Sequence, residues 1–390
     1  MKILLLLLAA SPEVTLNQAI DLALQHNAEL KVSRAEVEVE QASIPLAHDW
    51  EMPKFQARIN DVENLGGDFT WLAGLSWRPP NPWEWSNGSD AAKARVAQAR
   101  YDLAANSWSM VKDLRLAWLD ASGAAAHETL AKEALAGREK LRSVLQRRLD
   151  KGGGTQIEVN LAQLGETDAR QDVMRWQAAR LKAAQSVAWL VGQAVTPIPS
   201  SLNEQPPALP ELSELQKRLE AQPKLEALRS KIQMTMATER TAGAKRLPWP
   251  ELQVRFRQKR EVPANNDLQL GLTVPLGVTP APQHAVARAV TVRAQAQLEA
   301  ERAQLDAELQ ILYSRAEGLI ARSQLFEQEY RTTLESHRTL QNKVIAEGSL
   351  DPTLLLQADR VAIDLEHKRI EVHLDLARTL VELEGVAGPP

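Results

Sequence analysis

Apolar and polar residues alternate in four short stretches of the chain, which is the pattern of strands with one apolar and one polar face. These stretches are Phe55–Ile59, Trp71–Trp77, Leu252–Phe256 and Leu268–Val274, with Leu72 as an exception to the alternation. Segments with Asn and Asp, at 61–68 and 259–267, join the stretches in pairs, and the first of them also contains glycine. The pattern therefore predicts two β-hairpins, at residues 54–78 and 251–276.

Two other segments are far longer and contain no proline, at residues 89–150 and 283–347. As helices they would each extend roughly 90 to 100 Å at 1.5 Å per residue, whereas globular helices average about 11 residues. Apolar residues at Val111, Leu114, Trp118 and Ala121 follow the 3-4-3 steps of a coiled coil. Each long run leads through a glycine-containing break into another helical run. We therefore predict antiparallel helical hairpins at 89–193 and 283–387.

The hairpin tips carry residues that begin and end helices. Thr155 and Glu158 have the spacing of a capping box, and Asp351 stands before a proline suited to a first helical turn. Gly152 and Gly348 fit the left-handed position at a helix end. The glycine-rich first tip does not indicate a phosphate loop, because no Gly-Lys-Ser/Thr follows and no strand precedes it.

The whole order of elements occurs twice, with an offset of about 195 residues. Asn27–Leu30 and Gln222–Leu225 each lead a helix, and Gly74–Trp77 matches Gly271–Val274. The two halves meet in a linker, Val195–Pro210, that contains five prolines. We predict a signal peptide at 1–10, a first structural repeat at 11–199 and a second at 200–390.

The signal peptide is predicted from the first residues of the chain. Lys2 is followed by the uninterrupted apolar run Ile3–Ala10, which ends in two small residues. The run is too short to span a bilayer, and the alternative is a buried N-terminal strand. Export would place the protein in the periplasm, in the outer membrane or outside the cell.

Composition narrows the function classes. Hydrophobic residues make up 44% and charged residues 25% of the chain, which is typical of globular proteins. The net charge of −4 argues against a nucleic-acid partner. The absence of cysteine excludes disulfides, thiolate metal sites, cysteine nucleophiles and lipid attachment through cysteine.

Tryptophan is unusually frequent, with ten residues against four Phe and three Tyr. Tryptophans at the strand ends would form the aromatic girdle of a membrane interface; these are Trp50, Trp77, Trp83, Trp85 and Trp249. The alternative is that they cap a soluble helix–strand junction.

No set of residues predicts catalysis, a cofactor or a metal site, so we do not expect an enzyme. The seven histidines are scattered, and no two have the i, i+4 spacing of a helical metal site; they are His26, His48, His127, His284, His337, His367 and His373. Met234 and Met236 fit helix packing better than a soft-metal site.

The strands have about the length that crosses a membrane in a β-barrel. Four strands cannot close a barrel, and open edges are not tolerated in lipid, so this interpretation requires an oligomer. A dimer would provide eight strands and little lumen, whereas a trimer would provide twelve and room for a pore. A soluble sandwich would instead pair the apolar faces.

These features together resemble the TolC family of outer-membrane efflux ducts over about residues 14–388. The resemblance rests on Leu16–Leu30, and on Gly74–Trp77 and Gly271–Leu276, which precede the long helices. It also rests on the two hairpin tips, each followed by a helix with an alanine near its start, Ala162 in the first half and Ala358 in the second. The segments Pro53–Trp77 and Leu247–Leu252 are most similar to the CzcC-type branch, which is linked to metal-ion efflux.

The resemblance implies a mainly α protein with a small β part. Long antiparallel coiled-coil hairpins would form a trimeric α-barrel, and four short strands per chain would contribute to a 12-stranded transmembrane β-barrel in the outer membrane of a Gram-negative bacterium. The homotrimer would conduct substrates passively, heavy-metal cations among them. Its partners would be outer-membrane lipid, a periplasmic adaptor (a membrane fusion protein) and an inner-membrane efflux pump.

Site residues follow from the same resemblance. The adaptor-facing tips would be Gly152, Gly154, Thr155, Gly348, Ser349 and Asp351. The gate region would contain Leu354, Gln357 and Asp359. Some members carry an acidic ring where this chain has Leu354 and Gln357, which leaves Asp351 and Asp359 to replace it. The alternative function is a periplasmic coiled-coil adaptor or scaffold without a pore, and a soluble helical enzyme is a third.

Overall fold

The computed structural model describes residues 12–48, 52–60, 70–200, 208–246, 248–259, 265–274, 281–330, 332–336, 339 and 352–389. Six strands lie in this part of the chain: β1 Glu13–Val14, β2 Lys54–Asn60, β3 Thr70–Trp77, β4 Thr196–Pro197, β5 Glu251–Lys259 and β6 Asn265–Thr273. The α-helices are α1 Leu16–His26, α2 Ala28–Ser43, α3 Pro82–Asp150, α4 Gln156–Val191, α5 Leu212–Leu219, α6 Pro223–Ala244, α7 Ala281–Leu325 and α8 Pro352–Ala387. The predicted signal peptide lies outside the described residues.

The four longer strands form one antiparallel sheet in the order β2-β3-β5-β6. The strands fall within the two hairpin ranges predicted at 54–78 and 251–276. The sequence did not predict the pairing of β3 with β5, which joins the two hairpins through contacts such as Leu75 with Val254. It also did not predict the short parallel pair of β1 with β4, in which Val14 lies beside Pro197.

The first long helix, α3, begins at Pro82, seven residues before the predicted start at residue 89. The prediction excluded proline from the helix, but proline is well suited to the first helical position because that position needs no N–H. The Asn81 side chain accepts a hydrogen bond from the Trp83 backbone N–H at 3.0 Å and so caps this end. The turn before α3 is therefore fixed by local sequence.

The second long helix differs more from its prediction. Helix α7 is regular to Leu325 and continues as a π-helix at Phe326–Tyr330, where we had predicted an unbroken helix over 283–347. A π-helical turn holds one residue more than an α-helical turn. The extra residue rotates the side chains that follow it by about 100°, but the apolar spacing of this run is too loose for that rotation to be visible in the sequence.

Equivalent residues of the two halves make equivalent bonds. The Asn27 side-chain amide donates to the Leu190 carbonyl at 2.8 Å. The Gln222 side-chain amide donates to the Val386 carbonyl at 3.0 Å. Each bond connects the start of a helix to the end of a hairpin helix, and the bonded residues are 163 and 164 positions apart. The two halves of the chain thus repeat the same contact.

By its contacts the chain divides into two compact units that cut across the sequence repeats. One unit consists of Met1–Val32, Ala105–Gln222 and Gln304–Pro390, and it has a core of helix-borne residues such as Leu114, Trp118 and Leu309. The other consists of Ser33–Ala104 and Pro223–Ala303, and it holds the four-stranded sheet. Among the described helices, none is long and apolar enough to cross a membrane.

Gly192 follows the end of helix α4 and allows a test of how tightly the chain packs there. Its φ is +80°, and a Cβ there would lie 2.8 Å from the His26 carbonyl oxygen. We expect Gly192→Ala to lower the free energy of unfolding by about 1–2 kcal/mol through backbone strain alone, and further through the clash. Gly137→Ala is the matched control, because nothing lies within 4 Å of its Cβ position; it should stabilise helix α3 by about 0.5–1 kcal/mol. Thermal unfolding of the detergent-solubilised variants measures both changes.

Candidate functional site

The first hairpin tip is a tight turn closed by reciprocal hydrogen bonds. Gly152 is left-handed at φ +77°, as predicted. The Thr155 hydroxyl accepts a bond from the Glu158 backbone N–H at 3.3 Å, and the Glu158 carboxylate accepts one from the Thr155 N–H at 2.9 Å. The predicted capping box is therefore confirmed. The Arg148 side chain adds a bond to the Gly153 carbonyl at 2.7 Å, so both sides of the turn are held.

An apolar cluster lies directly beneath this tip. Leu141 and Leu145 of α3 pack with Val159 and Ala162 of α4. Leu355 and Leu356, near the start of α8, pack against this cluster from the second half of the chain. The start of α8 is thereby held against the first hairpin.

The predicted gate residues lie on this first part of α8, and they differ in their surroundings. Leu354 is 58% exposed and Gln357 is also exposed. Asp359 is half-buried, and its carboxylate lies 3.6 Å from the Arg138 guanidinium of α3. Of the three residues, Asp359 therefore makes a charged contact with the first hairpin.

Arg138 makes several contacts at the interface of α3, α4 and α8. It is only 8% exposed. Its guanidinium donates to the Gly165 carbonyl at 2.7 Å and lies 3.3 Å from the Asp168 carboxylate, both on α4. With Asp359 on α8, the same side chain connects three helices through one buried cation.

Sequence reasoning missed Arg138, although the chain contains a signal for it. Arg138 stands three residues before Leu141 and seven before Leu145, so it occupies a core position of the coiled-coil spacing. A charged residue at such a position is normally buried only with a partner. The spacing could have indicated the buried arginine, but it could not have identified Asp359, which lies more than two hundred residues later.

The cap of the first tip gives a local prediction. We expect Thr155→Ala to destabilise the first turn of α4 by about 1 kcal/mol, because the substitution removes one of the two capping bonds. Amide hydrogen exchange over 156–160 should then accelerate about fivefold. Thr167→Ala is the control on the same helix: its hydroxyl bonds only back to the Gln163 carbonyl, and alanine is the better helix former. Equal exchange in the two variants would contradict a capping role.

The other predicted tip residues, Gly348, Ser349 and Asp351, lie outside the described residues, as does Trp50 of the predicted girdle. Of the remaining girdle residues, Trp77 is the last residue of β3, and the other three lie beside the sheet in sequence. Trp83 and Trp85 are exposed, and Trp83 contacts Trp249 edge-to-face with ring centroids 6.0 Å apart. The Trp249 indole donates to the Pro79 carbonyl at 2.6 Å, which fixes its orientation.

The four-stranded sheet carries the other candidate surface. The cross-strand register places Phe55, Leu75, Val254 and Leu270 in one row on one face. The adjacent row, on the opposite face, consists of Gln56, Gly74, Arg255 and Gln269. The sheet is thus amphipathic across all four strands.

None of the residues that the structure describes covers the apolar face of this sheet. On β6, Leu268, Leu270 and Leu272 are 66%, 78% and 65% exposed. Phe55, Leu75, Leu252 and Val254 on the other strands are exposed as well. A soluble protein normally buries such a face.

Comparison with solved structures shows which proteins have a similar fold. The CusC structure, described as that of a transmembrane channel, aligns with a TM-score of 0.78 at 14% identity, covering 96% of this chain and 92% of CusC. The outer-membrane channel OprN aligns at 0.77 and 19% identity, covering 96% and 90%. The MtrE outer membrane channel of Neisseria gonorrhoeae aligns at 0.75 and 18% identity, covering 96% and 89%. The chain therefore has the fold of outer-membrane channels.

A family model matches part of the sequence. The model of the outer membrane efflux protein family matches residues 19–193, which cover most of the first predicted repeat. The first half of the chain is therefore similar to this family, in agreement with the predicted TolC-type resemblance. No curated protein matches the chain by sequence.

Proposed function

We propose that this protein is the outer-membrane duct of a tripartite efflux system, which passively conducts substrates expelled by an inner-membrane pump. The observation that carries the proposal is the uncovered apolar face of the sheet, centred on Leu270. Lipid would cover that face, and the polar face with Arg255 and Gln269 would line a water-filled lumen. The pump supplies the energy, so the duct itself needs a path and a gate rather than a catalytic site.

The edges of the sheet support an oligomer. Strands β2 and β6 each lie at an edge of the four-stranded sheet. Unpaired backbone N–H and C=O groups are not tolerated in the hydrocarbon region, so these edges need partner strands. Three chains joined edge to edge, β2 of one to β6 of the next, would close a barrel of twelve strands and give the homotrimer.

The tryptophans fit the same arrangement. Trp83, Trp85 and Trp249 follow or precede strands of the sheet. The exposed rings of Trp83 and Trp85 would lie at the level of the lipid head groups, with the half-buried Trp249 beside Trp83. Their amphipathic rings suit this position because one edge is apolar and the indole N–H is polar. They would set the depth of the barrel in the membrane.

The hairpins supply the docking end and the gate. The rigid turn at Gly152, Gly154 and Thr155 would contact the periplasmic adaptor, together with the second tip at Gly348, Ser349 and Asp351. The gate would lie at the start of α8, where Asp359 holds to Arg138 of the first hairpin. Opening would then require α8 to separate from α3 and α4. Heavy-metal cations as the cargo, and the CzcC-type branch, stay predictions from sequence resemblance.

The proposal is tested by fractionating cells that express the full chain. We expect the protein in the outer membrane, extracted by detergent as a homogeneous trimer that conducts ions in planar bilayers. A soluble, elongated periplasmic species that needs no detergent would overturn the proposal and favour the coiled-coil scaffold. A detergent-dependent trimer without conductance would retain the membrane location but overturn the role as a duct.

A further inference from the structure

Two histidines from distant parts of the chain meet inside the helical core. His127 of α3 and His367 of α8 lie with their Nδ1 atoms 2.7 Å apart, a hydrogen-bond distance. One ring must donate a proton and the other must accept it with a lone pair. Both Nδ1 atoms therefore cannot carry a proton while this contact persists.

A tryptophan from the third helix completes the contact. The Trp176 ring of α4 stacks on His127 with centroids 4.1 Å apart and an interplanar angle of 14°. It also lies parallel to His367 at 5.8 Å. The three rings thus connect α3, α4 and α8, and His127 at their centre is only 2% exposed.

The free side of His127 faces a carboxylate without bonding to it. Its Nε2 atom lies 3.7 Å from the Glu371 carboxylate of α8, beyond hydrogen-bond distance, and has no other hydrogen-bond partner. The imidazole–imidazole bond is therefore the polar contact that holds this ring in place. Loss of that bond would leave a buried polar ring with no hydrogen bond, which is costly.

Surrounding charges come from all three helices. On α4, Asp172 and Arg175 face the pair; on α8, Asp364, Glu371 and Arg378 do so. Asp120 of α3 is bonded to Arg378 at 2.6 Å, which partly neutralises that arginine. Anions and cations are thus both present, and burial decides the balance.

Burial, together with the neighbouring His367, Arg175 and Arg378, lowers the pKa of His127 to about 4, and burial is the largest of these causes. Burial also lowers the pKa of His367, although Asp172, Asp364 and Glu371 oppose that change. An unfolded histidine titrates near 6.5. Since the folded pKa lies below the unfolded one, the stabilisation is fully present above about pH 6.5. It is lost as the pH falls towards 4.

We propose that His127 and His367 form an acid-sensitive latch, which holds α8 against α3 and α4 at neutral pH and releases it when the pair takes up protons. The latch goes beyond the proposed duct, because a passive path needs no titratable contact. It also stands independently of that function, since the contact is a property of the folded helices.

The test is hydrogen exchange of the full chain in detergent, followed by mass spectrometry at pH 7.5, 6.0 and 4.5 and corrected for intrinsic exchange. In the wild type we expect protection of residues 360–374 to fall by about tenfold across this range, the equivalent of one pKa unit. The double variant His127→Gln/His367→Gln cannot titrate at this position, so its protection should change less than twofold.

Two controls separate the latch from general acid effects. His26→Gln removes an exposed histidine of α1 in the same compact unit and should keep the full wild-type response. If the double variant folds poorly, the pH dependence of the Trp176 emission, taken as wild type minus Trp176→Phe, reports the same protonation in a chain with both histidines. A flat wild-type profile, or an equal acid response in the double variant, would overturn the latch whether or not the protein conducts ions.

Discussion

Leu270→Arg is expected to abolish assembly of the protein in the outer membrane. Leu270 lies in the middle of β6 and is 78% exposed on the apolar face of the sheet. An arginine facing lipid at the bilayer midplane costs about 2–4 kcal/mol. A trimer carries the substitution three times, so the total penalty is about 6–12 kcal/mol. We expect detergent-resistant trimer in the outer-membrane fraction to fall below detection, measured by immunoblot of unheated samples.

A matched substitution on the same strand separates the membrane effect from the effect of a new charge. Thr273→Arg places arginine on the opposite face, where the register puts it beside Glu251. On the proposed barrel this side chain faces water, so trimer yield should stay near the wild-type level. Two outcomes would show that lipid does not cover the apolar face: trimer assembly by Leu270→Arg at the wild-type level, or a chain that is soluble without detergent and becomes more soluble with the substitution.

The sequence predicted best what short segments decide by themselves. Strand alternation, the capping box at Thr155 and Glu158, and the left-handed Gly152 depend on residues within a few positions of one another. The physical causes are equally local: side chains in a strand point to alternate faces, and a helix end needs a hydrogen-bond acceptor. These features could therefore be predicted from the sequence without knowledge of the tertiary fold.

The sequence could not predict contacts between residues that are far apart in the chain and that only the tertiary fold brings together. His127 and His367 are 240 residues apart, and neither has a second histidine at helical spacing. The pairing of β3 with β5 likewise depends on how the two repeats come together. Only the spacing of the apolar residues in α3 gave a clue, because both His127 and Arg138 lie near the apolar face that this spacing defines. That clue shows that a polar side chain is buried but does not identify its partner.

Arg138→Met is expected to loosen the proposed gate at the start of α8 and to make the proposed duct leak. The substitution removes the cation that lies 3.6 Å from the half-buried Asp359 carboxylate and the donor that bonds to the Gly165 carbonyl. Breaking a buried charged pair costs about 3–5 kcal/mol, and we take the lower part of this range because Asp168 remains accessible to water. Since each 1.4 kcal/mol is tenfold in an equilibrium constant, the open fraction should rise at least tenfold. Single-channel recordings in planar bilayers measure that fraction directly.

Two further variants assign the leak to the contact between α3 and α8. Asp168→Asn removes an exposed carboxylate that pairs with the same arginine. Because exposed pairs contribute about 0–1 kcal/mol, this variant should change the open fraction little. Arg138→Met/Asp359→Leu replaces both charges with apolar side chains of suitable size, which often restores stability. The double variant should therefore leak less than Arg138→Met alone. A leak that persists undiminished in the double variant would mean that Arg138 stabilises the first hairpin itself rather than its hold on α8.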